Sequence, residues 1–259
     1  MLLPSAMTVI AHRGSSGTAP ENTIVAFRRA AESGADWLEL DARLTADGEL
    51  VVFHDRTLNR TTNALGRLVA HTARELSRFD AGRWFAPRYA GEHIPTLISV
   101  LDRMPARLGV NIEVKTDGDR FWRSRTAPKL AEVLSQHGHE RPILVTSFNH
   151  LFLRGLRAID PSIAIGVLAM PLRDAGVLPS HFARTLGARV YVCSRTSLRR
   201  RFVRDAHRHA MKVYVYGVNT ARHLTRPRRF GVDGVITNYP ALMLRLLGRA
   251  PHRSSLDLP

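Results

Sequence analysis

Short apolar, β-branched runs alternate with longer amphipathic segments along almost the whole chain, and this alternation constrains the fold more than any other feature. Strands that are separated by helix-length segments form parallel βαβ units, because the chain must cross back over the sheet before the next strand. A TIM (β/α)8 barrel needs eight such strands. The sequence predicts nine, at Thr8–His12, Trp37–Leu44, Leu50–His54, Val110–Lys115, Ile143–Ser147, Ile163–Leu168, Val190–Cys193, Val213–Val218 and Val232–Thr237.

The ninth strand is explained by a hairpin. Thr45 to Glu49 separate the second predicted strand from the third, which leaves no room for a crossover helix. The Asp47-Gly48 pair between two apolar runs is typical of a tight turn, so we predict an antiparallel pair with one strand outside the ring. A turn centred on that pair would place His54 opposite Asp41, since the turn sets the register.

The remaining organisation predicts one α/β domain over residues 1–247. A chain of 259 residues matches a single barrel of this kind. The segment from Arg56 to His93 lacks a clear period, and we expect a small insertion there because long loops in compact domains are usually functional. Residues 248–259 are expected to form a flexible C-terminal tail.

The charge of the chain is strongly positive. It has 38 lysines and arginines against 22 acidic residues, a formal net charge of +16. The excess is concentrated from Arg195 to Arg229, where Asp205 is the only acid. A solvated helix face explains this stretch most simply. A surface for anionic lipid or nucleic acid is the alternative, although no sequence pattern of a specific nucleic-acid reader accompanies it.

Targeting signals and cysteine chemistry add little. The single cysteine, Cys193, excludes a disulfide framework and a cysteine metal cluster. No apolar run approaches membrane-spanning length, and the first ten residues lack the pattern of a signal peptide. We therefore expect a cytoplasmic protein.

Three carboxylates occupy barrel strands in apolar surroundings. Glu39 and Asp41 share one face of the second strand, and Glu113 ends the strand that follows the insertion. Burying such groups is costly unless they are paired or coordinate an ion. An all-oxygen set favours one divalent cation, Mg²⁺ or Ca²⁺, over zinc. The alternative is that arginines pair with each acid.

Two histidines end apolar strand runs at the same predicted mouth. His12 follows Val9-Ile10-Ala11, and His54 follows Val51-Val52-Phe53. Either one alone would be read as a structural histidine. Together they form a candidate general acid and general base around a bound phosphate, with Arg13 and Lys115 as candidate contacts to the phosphate oxygens.

A set of short motifs runs in order from about Val9 to Pro240. The motifs are His12-Arg13-Gly14, Pro20-Glu21-Asn22-Thr23, Gly34-Ala35-Asp36, Glu39-Leu40-Asp41, Val52-Phe53-His54-Asp55, Arg60-Thr61-Thr62, Ile94-Pro95-Thr96-Leu97, Ile112-Glu113-Val114-Lys115, Ser147-Phe148 and Gly231 to Pro240. Taken together, they resemble the glycerophosphodiester phosphodiesterase family.

The resemblance implies a TIM barrel with an insertion after the second histidine, and hydrolysis of a glycerophosphodiester to sn-glycerol 3-phosphate and an alcohol. It implies a divalent metal at Glu39, Asp41 and Glu113. His12 and His54 would be acid and base, and Arg13 and Lys115 would contact phosphate.

One motif departs from the family. A late strand that typically reads Trp-Thr-Val-Asn reads Tyr216-Gly217-Val218-Asn219 here, so we expect Tyr216 to alter the substrate pocket.

Two alternative functions stay open at this point. One is a lysophospholipase-D-like or sphingomyelinase-D-like enzyme. The other is an inactive barrel that binds anionic membrane or nucleic acid through its basic face. Weak association of an active enzyme with anionic membrane is a further hypothesis.

Overall fold

The computed structural model describes residues 7–116, 120–137, 141–170 and 172–249. Eight parallel strands form a closed ring in the order β1-β9-β8-β7-β6-β5-β4-β2, and β1 pairs with β2 to complete it. The additional strand, β3, lies outside the ring on β2. The strands are β1 Thr8–His12, β2 Trp37–Leu44, β3 Leu50–Val52, β4 Gly109–Val114, β5 Ile143–Ser147, β6 Ile165–Leu168, β7 Val190–Ser194, β8 Lys212–Tyr216 and β9 Gly234–Thr237.

Helices alternate with the barrel strands, and side-chain caps set several of their ends. Thr23 caps the first helix by accepting a hydrogen bond from the Ala26 amide, and Asn149 caps another through Leu151 and Phe152. The helices are α1 Ile24–Glu32, α2 Ala73–Leu76, α3 Leu97–Arg103, α4 Arg120–His137, α5 His150–Ile159, α6 Pro179–Leu186, α7 Arg200–Arg208, α8 Ala221–Phe230 and α9 Pro240–Leu246.

The two faces of each strand divide the apolar residues into an inner and an outer core. Leu38 and Leu40 of β2 face the helices and pack in the large outer cluster, whereas Ile10 and Val192 belong to the cluster inside the barrel. Alternation then points Glu39 and Asp41 inward. The predicted TIM barrel with an extra hairpin strand is therefore confirmed, and so is the shared face of the two acids.

The predicted register of the hairpin was wrong by one residue. Val52 pairs with Ala42, and the amide of Phe53, not of His54, reaches the carbonyl of Asp41 at 2.8 Å. The loop has three residues rather than two, closed by a bond from the Thr45 amide to the Glu49 carbonyl. Gly48, at φ 83°, supplies the left-handed residue that such a loop needs.

The segment predicted as an insertion has short elements and a small core of its own. It contains α2 and two 3₁₀ turns, Leu68–Ala70 and Pro87–Tyr89. Leu58, Leu68 and Leu76 pack there against Val51 and Phe53 of the hairpin. Tyr89 donates a hydrogen bond to the Thr18 carbonyl at 2.8 Å, which ties the segment to the loop after β1.

At the C-terminus, Arg249 forms two hydrogen bonds of 2.7 Å with the carboxylate of Asp36. Gly248 and Arg249, the first two residues of the predicted tail, are described, and residues 250–259 lie outside the described residues. Among the helices that the structure describes, none combines the length and the apolar character needed to cross a membrane.

Candidate active site

Three carboxylates converge at the carboxyl ends of neighbouring strands. Glu39 and Asp41 come from β2, and Glu113 of β4 is directly in register with Asp41. One oxygen of each lies within 4.8 Å of the other two. The residues are 2 %, 0 % and 9 % exposed, so their charges are largely removed from water.

The surroundings raise the pKa values of Glu39 and Glu113 and lower that of Asp41. Burial raises the pKa of Glu39 to about 8 and that of Glu113 to about 7, and the charge of Asp41 adds to both shifts. Burial acts on Asp41 as well, but Lys115 and Arg13 outweigh it and hold the pKa of that carboxyl below its usual range.

An unpartnered oxygen marks the place where a cation fits. Glu39 Oε1 is buried and has no hydrogen-bond partner among the described residues. Such a group is expensive to bury unless something satisfies it. Three clustered carboxylates supply the hard oxygen ligands that Mg²⁺ and Ca²⁺ prefer. The residues present therefore fit a divalent cation.

Two basic side chains, of Arg13 and Lys115, lie among these carboxylates. Arg13 Nε is 3.0 Å from Asp41 Oδ2, and Lys115 Nζ is 3.1 Å from Asp41 Oδ1 and also bonds Glu113. Pairing by basic residues, which the sequence left open, thus occurs for part of the cluster. With all three carboxylates ionised, as they would be around a bound cation, three negative and two positive side-chain charges sum to one negative charge, and a divalent ion would convert this to one positive charge facing the cavity.

The turn after β1 brings Arg13 into this position. Arg13 adopts a left-handed conformation (φ 53°), and its amide donates to Glu39 Oε2 at 3.0 Å. Gly14 follows at φ 78°, and a Cβ there would lie only 2.6 Å from the Ala26 carbonyl carbon in α1. The close packing of α1 on this turn therefore requires glycine.

His12 is held by an amide. Its Nδ1 donates to Asn238 Oδ1 at 2.7 Å, so Nε2 is the nitrogen left for chemistry; it lies 3.9 Å from Glu39 Oε2. Burial lowers the pKa of His12, and the charge of Arg13 lowers it further. The neutral imidazole is thereby favoured.

His54 is held by a carboxylate. Its Nδ1 donates to Asp55 Oδ1 at 2.6 Å, and two bonds from Arg43 to the His54 carbonyl, of 2.9 and 2.7 Å, fix its backbone. Burial lowers the pKa of His54, whereas Asp41 and the bond to Asp55 act against that shift.

Arg60 of the insertion connects this carboxylate to the other side of the mouth. Its guanidinium bonds both oxygens of Asp55, at 2.6 and 3.1 Å, and both oxygens of Glu21, at 2.6 and 3.0 Å. Glu21 in turn accepts from Arg13 at 2.9 Å. A continuous series of charge-assisted bonds thus runs from His54 to Arg13.

A cavity of about 280 Å³ opens above the acidic cluster. Both histidines, Arg13 and Lys115 line its polar side. Its other wall is apolar and consists of Phe148, Leu168, Tyr216 and Ile236. Tyr216, the residue at the atypical motif, therefore lines this cavity.

Three amides at the site were not predicted from the sequence. Asn22 donates to Asp41 Oδ2 at 2.9 Å, Asn238 holds His12, and Asn111 lines the cavity with a buried Nδ2 that has no partner among the described residues. Asn111 could have been found, because it lies two residues before Glu113 and thus faces inward with it. The other two lie in loops, which have no period.

Comparison with known proteins identifies the family. The model of the glycerophosphoryl diester phosphodiesterase family matches residues 12–242. A glycerophosphodiester phosphodiesterase from Caldanaerobacter subterraneus subsp. tengcongensis is 36 % identical over 240 residues, which are 92 % of this chain and 97 % of that protein. One from Bacillus subtilis is 31 % identical over 93 % of this chain and 87 % of that protein.

Solved structures agree with the sequence comparisons. The chain is similar to an Oleispira antarctica phosphodiesterase in complex with the product sn-glycerol-3-phosphate, with a TM-score of 0.86, 31 % identity and coverage of 93 % of this chain and 96 % of that one. These matches do not favour the lysophospholipase-D-like, sphingomyelinase-D-like or inactive-barrel alternatives. The chain belongs to the glycerophosphoryl diester phosphodiesterase family.

Proposed function

We propose that this protein hydrolyses glycerophosphodiesters to sn-glycerol 3-phosphate and an alcohol, with the help of one divalent cation and two histidines. The observation that carries the proposal is the cavity itself. It combines three converging carboxylates, two basic side chains and two histidines in a member of this family.

Glu39, Asp41 and Glu113 would hold the ion, since their oxygens are close enough to share it and Glu39 Oε1 is otherwise unsatisfied. When bound, a divalent cation polarises a phosphoryl oxygen and stabilises the charge that develops on it. Arg13 and Lys115 bind the other phosphate oxygens from the same wall of the cavity.

The partners of the two histidines suggest how they divide the proton transfers. His12 has a neutral amide behind it and a pKa lowered by burial, so its Nε2 accepts a proton from the attacking water, whose oxygen forms the new bond to phosphorus. His54 has the Asp55 carboxylate behind it, which stabilises the protonated ring against the burial that lowers its pKa. As the P–O bond to the alcohol breaks, His54 gives its proton to the departing oxygen.

Release of sn-glycerol 3-phosphate from glycerophosphocholine and glycerophosphoethanolamine tests the proposal. We expect release by the wild type and losses on the order of 100-fold or more in Glu113→Gln and His54→Asn. Glu132→Gln, an exposed site on α4, is the matched control and should retain full activity.

Lysophosphatidylcholine belongs in the same panel of substrates. Cleavage of the lysophospholipid with no release from the deacylated diesters would replace the proposal by the lysophospholipase D alternative. No release from any of the three substrates would also contradict it.

A further inference from the structure

Exposed apolar side chains are concentrated at the mouth of the barrel. In the described part of the chain, eight large apolar residues are strongly exposed, and five of them lie just beyond the carboxyl ends of barrel strands. Of the other three, Ile159 lies at the opposite end of the barrel, and Leu65 and Trp84 lie in the insertion. The five are Leu151 (63 % exposed), Met170 (40 %), Leu172 (93 %), Leu178 (40 %) and Tyr239 (39 %). Apolar side chains clustered on one face of a protein commonly mark an interaction surface.

Three consecutive arginines lie at the same end of the barrel. Arg199, Arg200 and Arg201 are exposed at the start of α7, and none has a carboxylate partner among the residues that the structure describes. Positive charge at a helix N-terminus opposes the helix dipole, so the arrangement does not serve the stability of α7. Arg199 donates to the carbonyls of Thr196 and Leu198, and Arg201 packs over the Phe202 ring, but no carboxylate among the described residues neutralises the three charges, which remain open to an external anion.

The apolar and basic groups are contiguous. Met170 lines a cavity of about 290 Å³ together with Arg199 and Arg201. On the other side of the same loop, Arg173 donates to the Phe148 carbonyl at 2.8 Å, and Phe148 lines the active-site cavity. One surface therefore extends from the active-site opening to the N-terminus of α7.

We propose that this surface docks on an anionic phospholipid bilayer, with the arginines on lipid phosphates and Leu172 and Leu151 in the apolar boundary. Basic side chains beside exposed leucines are the combination that an anionic interface binds. A nucleic acid would engage the arginines but offer no apolar layer to the leucines. The active-site opening would then face the membrane. This binding goes beyond the proposed hydrolysis and does not depend on it.

Co-sedimentation of the full chain with vesicles tests the proposal. Vesicles of phosphatidylcholine with phosphatidylglycerol should bind the protein, and phosphatidylcholine alone should not. The triple variant Arg199→Gln, Arg200→Gln, Arg201→Gln should bind on the order of 100-fold more weakly. The matched triple Arg208→Gln, Arg228→Gln, Arg229→Gln, at the far ends of α7 and α8, removes the same charge and should bind like the wild type.

A second pair of variants tests the apolar contribution. Leu172→Ser should weaken binding to mixed vesicles about 10-fold, because a leucine in the boundary layer loses its burial. Ile159→Ser, exposed at the opposite end of α5, should have no effect. Thermal unfolding will confirm that all four variants are folded.

Three results would overturn the proposal. The first is no sedimentation of the wild type with mixed vesicles at low salt. The second is equal losses in the two arginine triples, which would indicate general attraction to a basic protein. The third is binding to duplex DNA as tight as to vesicles with no effect of Leu172→Ser, which would indicate a nucleic-acid surface.

Discussion

Arg60 is the residue whose contacts connect most of the site. It joins Asp55, which orients His54, to Glu21, which bonds Arg13. A bidentate guanidinium on two carboxylates fixes geometry in a way that a lysine cannot. Since Arg60 comes from the insertion, the segment outside the barrel helps to position a histidine inside the mouth.

Replacing Arg60 should therefore impair turnover without removing any group of the cavity wall. We expect Arg60→Ala to lower kcat by roughly 10-fold to 100-fold, because His54 loses its fixed orientation, with a smaller change in KM. Steady-state kinetics on glycerophosphoethanolamine will measure both. Arg74→Ala, exposed on α2, is the matched control. Equal kcat in the two variants would show that Arg60 has no positioning role.

Tyr216 should govern selectivity more than rate. It lies on the apolar wall of the cavity, and a larger ring there would change the space beside the substrate. We expect Tyr216→Trp to change the ratio of kcat/KM between glycerophosphocholine and glycerophosphoethanolamine more than either kcat. The same kinetic loss on both substrates would contradict this.

For individual residues, the sequence predicts the charged members of the site better than the neutral ones. Glu39, Asp41 and Glu113 stand out because an acid in an apolar strand needs a physical explanation. Asn22 and Asn238 belong to motifs that carry the family resemblance, but what a loop amide contacts becomes evident only when the fold brings it beside Asp41 or His12.

Among the elements, the hairpin shows that the Asp47-Gly48 turn signal alone does not determine the register of β2 and β3. Asp47-Gly48 occurs in two-residue and in three-residue loops, and the two differ by one position in register. Thr45 favours the longer loop here, because its hydroxyl bonds Asp47 and its amide bonds Glu49. His54 lines the cavity even so, because β3 ends at Val52 and the chain turns.

The contact between α1 and the turn after β1 can be tested with two glycines. Gly14→Ala would place a Cβ 2.6 Å from backbone in α1, whereas Gly176, at a similar φ of 80°, has nothing within 4 Å. Gly14→Ala and Gly176→Ala both force a residue with a side chain into a left-handed conformation, which should lower the free energy of unfolding by about 1–2 kcal/mol. Because its Cβ would also be overpacked, Gly14→Ala should lower the free energy of unfolding by about 1–3 kcal/mol more than Gly176→Ala does. Urea denaturation measures both, and equal losses would contradict the packing argument.

For the whole molecule, the acidic cluster makes stability depend on pH and on the ion. Glu39 and Glu113 have pKa values raised to about 8 and about 7 in the folded state, so folding favours their protonated forms. The contribution of these protonated groups to the free energy of unfolding is complete at pH values below about 4.5, the pKa in the unfolded state. It is lost as the pH rises through the pKa values of the folded state.

The free energy of unfolding of the chelated protein should therefore fall between about pH 5 and pH 8.5. Thermal unfolding in chelator checks this, and Glu39→Gln should show a smaller fall, since it removes one raised group. An added divalent cation should stabilise the wild type more at the higher pH, where its ligands are charged. Stability that rises with pH in chelator would contradict the electrostatic account.

In the proposed reaction, the three carboxylates hold a cation that the hydrolysis requires. The phosphorus NMR signal of glycerophosphoethanolamine tests this requirement with chelated protein, before and after Mg²⁺ or Ca²⁺ is added back. We predict that the diester signal persists in chelator and gives way to a phosphomonoester only when an ion returns. Conversion at the same rate in chelator would contradict the claim.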